Sequence, residues 1–260
     1  MSVFDRFRLV GKRLFITGGS RGLGRAMALA LAEAGADVVL VGRSAESLES
    51  TAEEVRGFGR QAETIVGDVG KPRECEEVCE RVLRDHGPID ILINNVGGRR
   101  VDIPTTEMGL ETWQEILDLN LTSTFLCTKM IGGAMVSRGN GGRVINNASI
   151  SGMVVNRDIG GRSYETSKAA VIHFTRATAA DWAPAGVTVN AICPGGFMTE
   201  PNKLWAQKNP TVIDTMRKQI PAGDYGDPED LGPLALYLAS DAARYVTGAA
   251  FVIDGGYVLW

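Results

Sequence analysis

The sequence predicts an α/β protein, a doubly wound parallel sheet of about seven strands with helices on both faces. Three observations predict it. Short apolar runs recur along the whole chain, each too short for a helix. Helical apolar spacing fills the stretches between them. Turn-type and polar residues follow nearly every run, on the edge where such a sheet binds ligands.

The first run is Leu14–Thr17, and Thr17-Gly18-Gly19-Ser20-Arg21-Gly22-Leu23-Gly24 follows it. Leu23, Met27, Ala30, Leu31 and Ala34 then keep helical spacing, and Gly35 is a stop signal. Further strands are read at Val38–Val41, Thr64–Val66, Ile89–Ile93, Val144–Asn147, Val187–Ile192 and Phe251–Ile253. Long helical segments fit 72–86, 112–137 and 164–182. The turns after these strands carry Gly42-Arg43-Ser44, Gly67-Asp68-Val69, Asn94-Asn95-Val96-Gly97, Ala148-Ser149-Ile150-Ser151-Gly152 and Cys193-Pro194-Gly195-Gly196. No repeat or low-complexity linker divides the 260 residues, so the chain reads as one domain over 1–260.

Composition narrows the function classes. Hydrophobic residues make up 44% and charged residues 22%, as in ordinary globular proteins. A net charge of −4 argues against a nucleic-acid surface. No apolar run suits a bilayer span, and Met1–Arg8 lacks the apolar core of a secretory signal. Four cysteines, Cys75, Cys79, Cys127 and Cys193, accompany only two histidines, His86 and His173. Cys75 and Cys79 sit four apart on one helix, and the other two stand far off in sequence. The expectation is reduced thiols, no metal, and a cytoplasmic protein.

The glycines of the first turn suggest a phosphate cradle. Gly18, Gly22 and Gly24 let backbone approach an anion, and the helix that follows offers unpaired N–H groups. Tyr164 and Lys168 share a helix face at i, i+4, where an ammonium favours the phenolate.

At this point the chain resembles the short-chain dehydrogenase/reductase family over nearly its whole length. The motifs are TGGSRGLG at 17–24, GDV at 67–69, NNVG at 94–97, Asn120 within LDLNLTSTF, Ser149 within NASISG, Tyr164-x3-Lys168, PGGFMT at 194–199 and FVIDGG at 251–256. Val96 stands where the family more often has alanine, and the Ser149–Tyr164 segment is slightly longer than usual.

The resemblance implies a Rossmann-like fold, with a coenzyme part mainly over 10–150 and a catalytic and substrate part mainly over 149–225. It implies hydride transfer between a nicotinamide coenzyme and a carbonyl/secondary-alcohol pair. Tyr164 would be the acid or base, Lys168 would depress its pKa and hydrogen-bond the nicotinamide ribose, and Ser149 would hold the substrate oxygen. Asn120 would bind a water linking Lys168 to solvent; read alone, it is a helix amide bonding to backbone, as Ser149 read alone is a turn cap. Gly18, Ser20, Arg21, Gly22, Leu23 and Gly24 would hold the diphosphate side. Asp68 and Val69 would flank the adenine, and Asn95 would lie along the cofactor. Pro194, Gly195 and Thr199 would border the nicotinamide and diphosphate.

No carboxylate stands at the end of the second strand. Arg43 there, with Arg21, favours a 2′-phosphate, so NADP(H) is preferred and NAD(H) is the alternative. Phe197–Tyr225, broken by Pro201, Pro210 and Pro221, reads as a substrate loop. Arg99, Arg100, Arg157, Arg162 and Lys203 suggest an anionic small-molecule substrate, with Arg157 and Arg162 as the candidate direct grip; Trp205, Met153 and Met198 suggest an apolar pocket instead. The substrate classes are a sugar acid, a polyol or another small oxo compound, with a 3-oxoacyl thioester as the alternative. A non-catalytic nucleotide sensor and a sugar-nucleotide epimerase are the other function classes; the intact Asn-Ser-Tyr-Lys set argues against the first, and the glycine spacing against the second. The resemblance also implies a homotetramer packed through 112–137 and 164–182; the apolar tail Phe251–Trp260, with Tyr257, Val258, Leu259 and Trp260 at its end, reads as a second contact.

Overall fold

Apolar runs of four to eight residues form strands here because helices cover both faces of the sheet, so neither side needs polar residues. The computed structural model describes residues 2–98, 101–156, 160–208 and 210–259 of the chain. The strands are β1 Arg13–Thr17, β2 Asp37–Gly42, β3 Ala62–Val66, β4 Ile91–Asn94, β5 Gly142–Asn147, β6 Val187–Pro194 and β7 Ala250–Ile253. All pair in parallel, in the order β3-β2-β1-β4-β5-β6-β7.

Side chains of a strand alternate between the faces. Leu14 and Ile16 of β1 join the core on one side, and Phe15 joins the other. On the first side the sheet is covered by α1 Gly22–Glu33, α2 Ala45–Gly57 and α10 Leu231–Ala239. On the second it is covered by α3 Pro72–Asp85, the helical run 110–138 and α7 Arg162–Trp182. Fully buried side chains such as Phe15, Leu31 and Ile93 each contribute roughly 1.5–3 kcal/mol through burial.

The run 110–138 is not one regular helix. It comprises α4 Leu110–Leu117, α5 Ser123–Cys127 and α6 Gly133–Arg138, joined by π-turns at Asp118–Thr122 and Thr128–Gly132. Asn120 lies in the first π-turn, where its amide reaches the Ile116 carbonyl at 2.8 Å.

Three helical stretches go beyond those read from the sequence. In α2 Ser44 caps the start, and Leu48, Ala52 and Val55, at helical spacing, bury one stripe. The segment 197–225 holds α8 Glu200–Lys208 and α9 Pro210–Arg217. Its prolines do not break helices: Pro201 falls in the first turn of α8 and Pro210 opens α9, where no N–H partner is lost. Helix α10 reads as strongly apolar because it packs against α1 as well as the sheet. Among the described residues, no helix is long and apolar enough to cross a membrane.

Candidate active site

β1 and β4 are neighbours, yet β2 and β5 lie on opposite sides of that pair. The chain therefore leaves these strands in opposite directions, and a crevice opens at their carboxyl ends. A cleft of about 710 Å³ occupies it. Every residue expected to bind coenzyme lines this cleft, and so does Ser149; Asn120 is fully buried and does not.

The glycine turn is shaped by packing. Gly18 and Gly22 have φ of 67° and 54°, a region that disfavours side chains. A Cβ at Gly24 would stand 2.2 Å from the Gly18 carbonyl oxygen and 2.4 Å from Asn95 Nδ2. The first residue before α1 is Arg21, extended and without a side-chain cap bond. The first-turn N–H groups thus face the cleft with the positive end of a 12-residue helix.

At the outer end, Arg21 and Arg43 both reach the cleft wall. Arg43 Nη1 is 3.9 Å from Asp68 Oδ2, and its side chain is 70% exposed, so the pair is weak. A Cβ at Gly42 would meet Leu48 Cδ2 at 3.3 Å and Ser20 Oγ at 3.4 Å.

At the inner end, Tyr164 and Lys168 project from α7, with Lys168 Nζ 5.8 Å from the Tyr164 ring centroid. Lys168 is almost wholly buried, and its Nζ donates to the Asn147 carbonyl at 2.7 Å. Burial pulls its ammonium down from 10.5 to about 8. The Cys193 thiol nearby is pushed up to about 11, mainly by burial, so it is still neutral while Lys168 titrates and lends it little support. A Cβ at Gly97 would lie 2.8 Å from both Lys168 Nζ and Asn120 Oδ1. Those two groups are thus no more than twice that distance apart.

Ser149 Oγ accepts from Ser151 N–H at 3.1 Å while lining the cleft, so it caps its turn and is available to a ligand. Asn120 donates to the carbonyls of Ile116 and Gly98 and accepts from Gly98 N–H. Both plain readings of these residues hold, and neither removes them from the cleft's inner end.

The sequence reading missed the amides that brace this end. Asn94 donates to Asn146 Oδ1 at 2.8 Å, and Asn147 donates to Asn95 Oδ1 at 2.9 Å. The signal was present: two Asn-Asn pairs, at 94–95 and 146–147, end neighbouring parallel strands in register. Gly97, in the NNVG motif, leaves room for Lys168 and Asn120.

Of the basic residues expected at the mouth, Arg162 and Lys203 are described. Arg99, Arg100 and Arg157, and the side chain of Trp205, lie outside the described residues. Arg162 Nη1 donates to the buried Glu165 carboxylate at 2.8 Å and to the Asn156 carbonyl at 3.3 Å. It borders a separate hollow of about 270 Å³ with Met108 and Trp113. Lys203 pairs with Glu200 at 3.2 Å. A carboxylate partner already holds each of these two cations, which corrects the view of Arg162 as a ready substrate grip. Met153 is exposed and Met198 half-buried, and neither lines the main cleft.

The spatial grouping of the cysteines differs from the sequence reading. All four are free thiols. Separation along the chain had set Cys127 apart from Cys75 and Cys79, but α5 packs across α3 and brings its sulfur within 3.5 Å and 3.7 Å of theirs. The three sulfurs could together hold a metal ion. Hydrogen bonding to Cys75 and Cys79 and burial hold the Cys127 thiol well above its ordinary range.

Comparison with known proteins follows the same geometry. A family model described as enoyl-(acyl carrier protein) reductase matches residues 18–258. Galactitol 2-dehydrogenase of Rhizobium johnstonii is 36% identical over 260 residues, covering 100% of both chains. The crystal structure of a short-chain type dehydrogenase/reductase from Mycobacterium marinum is 40% identical, with a TM-score of 0.89 and 99% of both chains covered. That of a gluconate 5-dehydrogenase from Burkholderia cenocepacia, in complex with NADP and tartrate, is 32% identical, with a TM-score of 0.90 and 100% of both chains covered.

Proposed function

This chain belongs to the short-chain dehydrogenase/reductase family and is an oxidoreductase of its alcohol- and ketone-acting kind, and we propose that it moves hydride between NADP(H) and a small polyol or sugar acid and its oxo counterpart. One observation carries this reading. A single cleft joins a glycine turn and two arginines at one end to Ser149, Tyr164 and Lys168 at the other.

The residues fit a dinucleotide. Gly18, Gly22 and Gly24 line the cleft beside the uncapped start of α1, which suits a diphosphate. When bound, the coenzyme supplies or accepts the hydride. Tyr164 gives a proton to the carbonyl oxygen, or takes one from the alcohol. The Lys168 ammonium beside it favours the phenolate, and Asn147 holds that ammonium in place. Ser149 donates its hydroxyl to the substrate oxygen, where negative charge develops. Asn120 steadies the Gly98 backbone beside Lys168 and keeps one Oδ1 lone pair for a water.

The 2′-phosphate preference rests on Arg21 and Arg43 and on the missing carboxylate at Gly42. NADP in the Burkholderia relative agrees with it. The galactitol and gluconate dehydrogenases among the relatives support the substrate class. A 3-oxoacyl thioester is the second reading, favoured by relatives described as 3-oxoacyl-[acyl-carrier-protein] reductases. We further propose a cytoplasmic homotetramer. Phe125, 43% exposed and in edge contact with Phe174, supports one interface, and fully exposed Tyr245 with Leu259 supports the other.

The test is a panel of polyols, sugar acids, simple ketones and acyl thioesters with each coenzyme, run beside Tyr164→Phe. The variant keeps the ring and loses the proton donor. Turnover should fall at least about a hundredfold, with coenzyme binding retained. Near-normal turnover in Tyr164→Phe would refute the assignment.

A further inference from the structure

One polar atom on the wall of the cleft is left over. Asn147 ends β5, is 9% exposed and lines the cleft, yet its Oδ1 is buried with no hydrogen-bond partner among the described residues. A buried acceptor left unpaired costs about 1–3 kcal/mol.

The orientation of this amide is dictated by its neighbours. Asn95 Nδ2 donates to the carbonyls of Thr17 at 3.0 Å and Gly18 at 3.1 Å. Both hydrogens of that amide are used, so Asn95 can present only Oδ1 to Asn147. Asn147 must therefore donate, which it does at 2.9 Å. Turning the Asn147 amide over would set two carbonyl oxygens against each other. Its own oxygen is thus held as a spare acceptor, between the coenzyme-side Asn95 and the Lys168 that its backbone carbonyl binds. Asn94 carries a similar orphan oxygen, but Asn94 does not line the cleft.

We infer that Asn147 is a coenzyme-binding residue whose side-chain oxygen accepts a hydrogen bond from the nicotinamide half of the bound dinucleotide. This rests on the coenzyme reading above. The half is assigned from Lys168, which shares Asn147 as partner and stands at the catalytic end with Tyr164 and Ser149. The nicotinamide half carries donors of the required kind, ribose hydroxyls and a carboxamide N–H2; a water would satisfy the oxygen equally well in the free protein.

The experiment compares NADPH with 2′,5′-ADP, which keeps the adenine end and lacks the nicotinamide half. Dissociation constants are measured by calorimetry for the unaltered protein and for Asn147→Leu and Asn147→Ala. The inference expects NADPH to weaken about five- to tenfold in the variants, one hydrogen bond's worth. It expects 2′,5′-ADP to stay within about twofold. Equal weakening of both ligands overturns it, since Asn147 would then act only by bracing Asn95; unchanged NADPH binding overturns it too. Should the variants fail to fold, side-chain amide spectra of the asparagine-labelled unaltered protein decide. The Asn147 N–H2 signals should move with NADPH and not with 2′,5′-ADP, and an identical response to both refutes the contact. Failure of the unaltered protein to bind any nicotinamide coenzyme would instead overturn the functional reading itself.

Discussion

Replacing Lys168 by methionine should reveal what this buried charge costs the fold. The side chain is almost fully enclosed, and burial lowers its pKa from 10.5 to about 8. Below pH 8 the lysine is charged in both the folded and unfolded chain, and the folded protein bears the whole penalty. Two and a half pKa steps correspond to about 3 kcal/mol. Between pH 8 and 10.5 the folded lysine is neutral while the unfolded one still holds a proton. The unfolded state then binds more protons, so stability rises with pH, by about 1.4 kcal/mol per pH unit. Above 10.5 both are neutral and the penalty is gone.

Lys168→Met has no such titration. It also leaves the Asn147 carbonyl without its donor, which costs about 1–3 kcal/mol. At pH 7 the variant should therefore be as stable as the parent or more stable, by up to about 2 kcal/mol, although inactive. The parent should gain about 3 kcal/mol on the variant as pH climbs from 7.5 to 10.5. Denaturant melts at matched protein concentration and without coenzyme measure this. Other titrating groups are common to both proteins and cancel in the difference. A difference that stays flat over that range would refute the claim that burial depresses this lysine.

Three other outcomes are expected. Arg43→Asp should weaken NADPH selectively and narrow or reverse the preference over NADH in coenzyme titrations; tighter NADH binding by the unaltered protein would remove the Arg43 argument. Gly97→Ala sets a methyl 2.8 Å from Lys168 Nζ and Asn120 Oδ1 and should lower kcat at least about tenfold, with a melting temperature shifted by only a few degrees; full activity would show that the two groups can yield. Light scattering at micromolar concentration should give a tetramer, and a monomer would leave Phe125 and Tyr245 as unexplained exposed rings.

The strands were legible because each is buried on both faces, and apolar runs such as Ile91–Ile93 have no other use in a chain of this length. The glycine turn and the Tyr164–Lys168 spacing were legible because their chemistry is local: one turn of backbone, one turn of helix. Helices α8 and α9 were not, since a proline reads as a breaker unless it is known to occupy the first turn. Charge was legible only as composition. Arg162 looked available until the fold placed the buried Glu165 carboxylate against it. Cys127 looked remote from Cys75 until α5 crossed α3. Asn147 could be seen as a residue but not as an acceptor, because its orientation follows from Asn95, whose own hydrogens are taken by Thr17 and Gly18. The sequence by itself determined which elements form and which reactive groups exist. Which of those groups are already partnered, and which are left free to act, was decided by contacts between residues far apart in the chain, and only tertiary structure creates those.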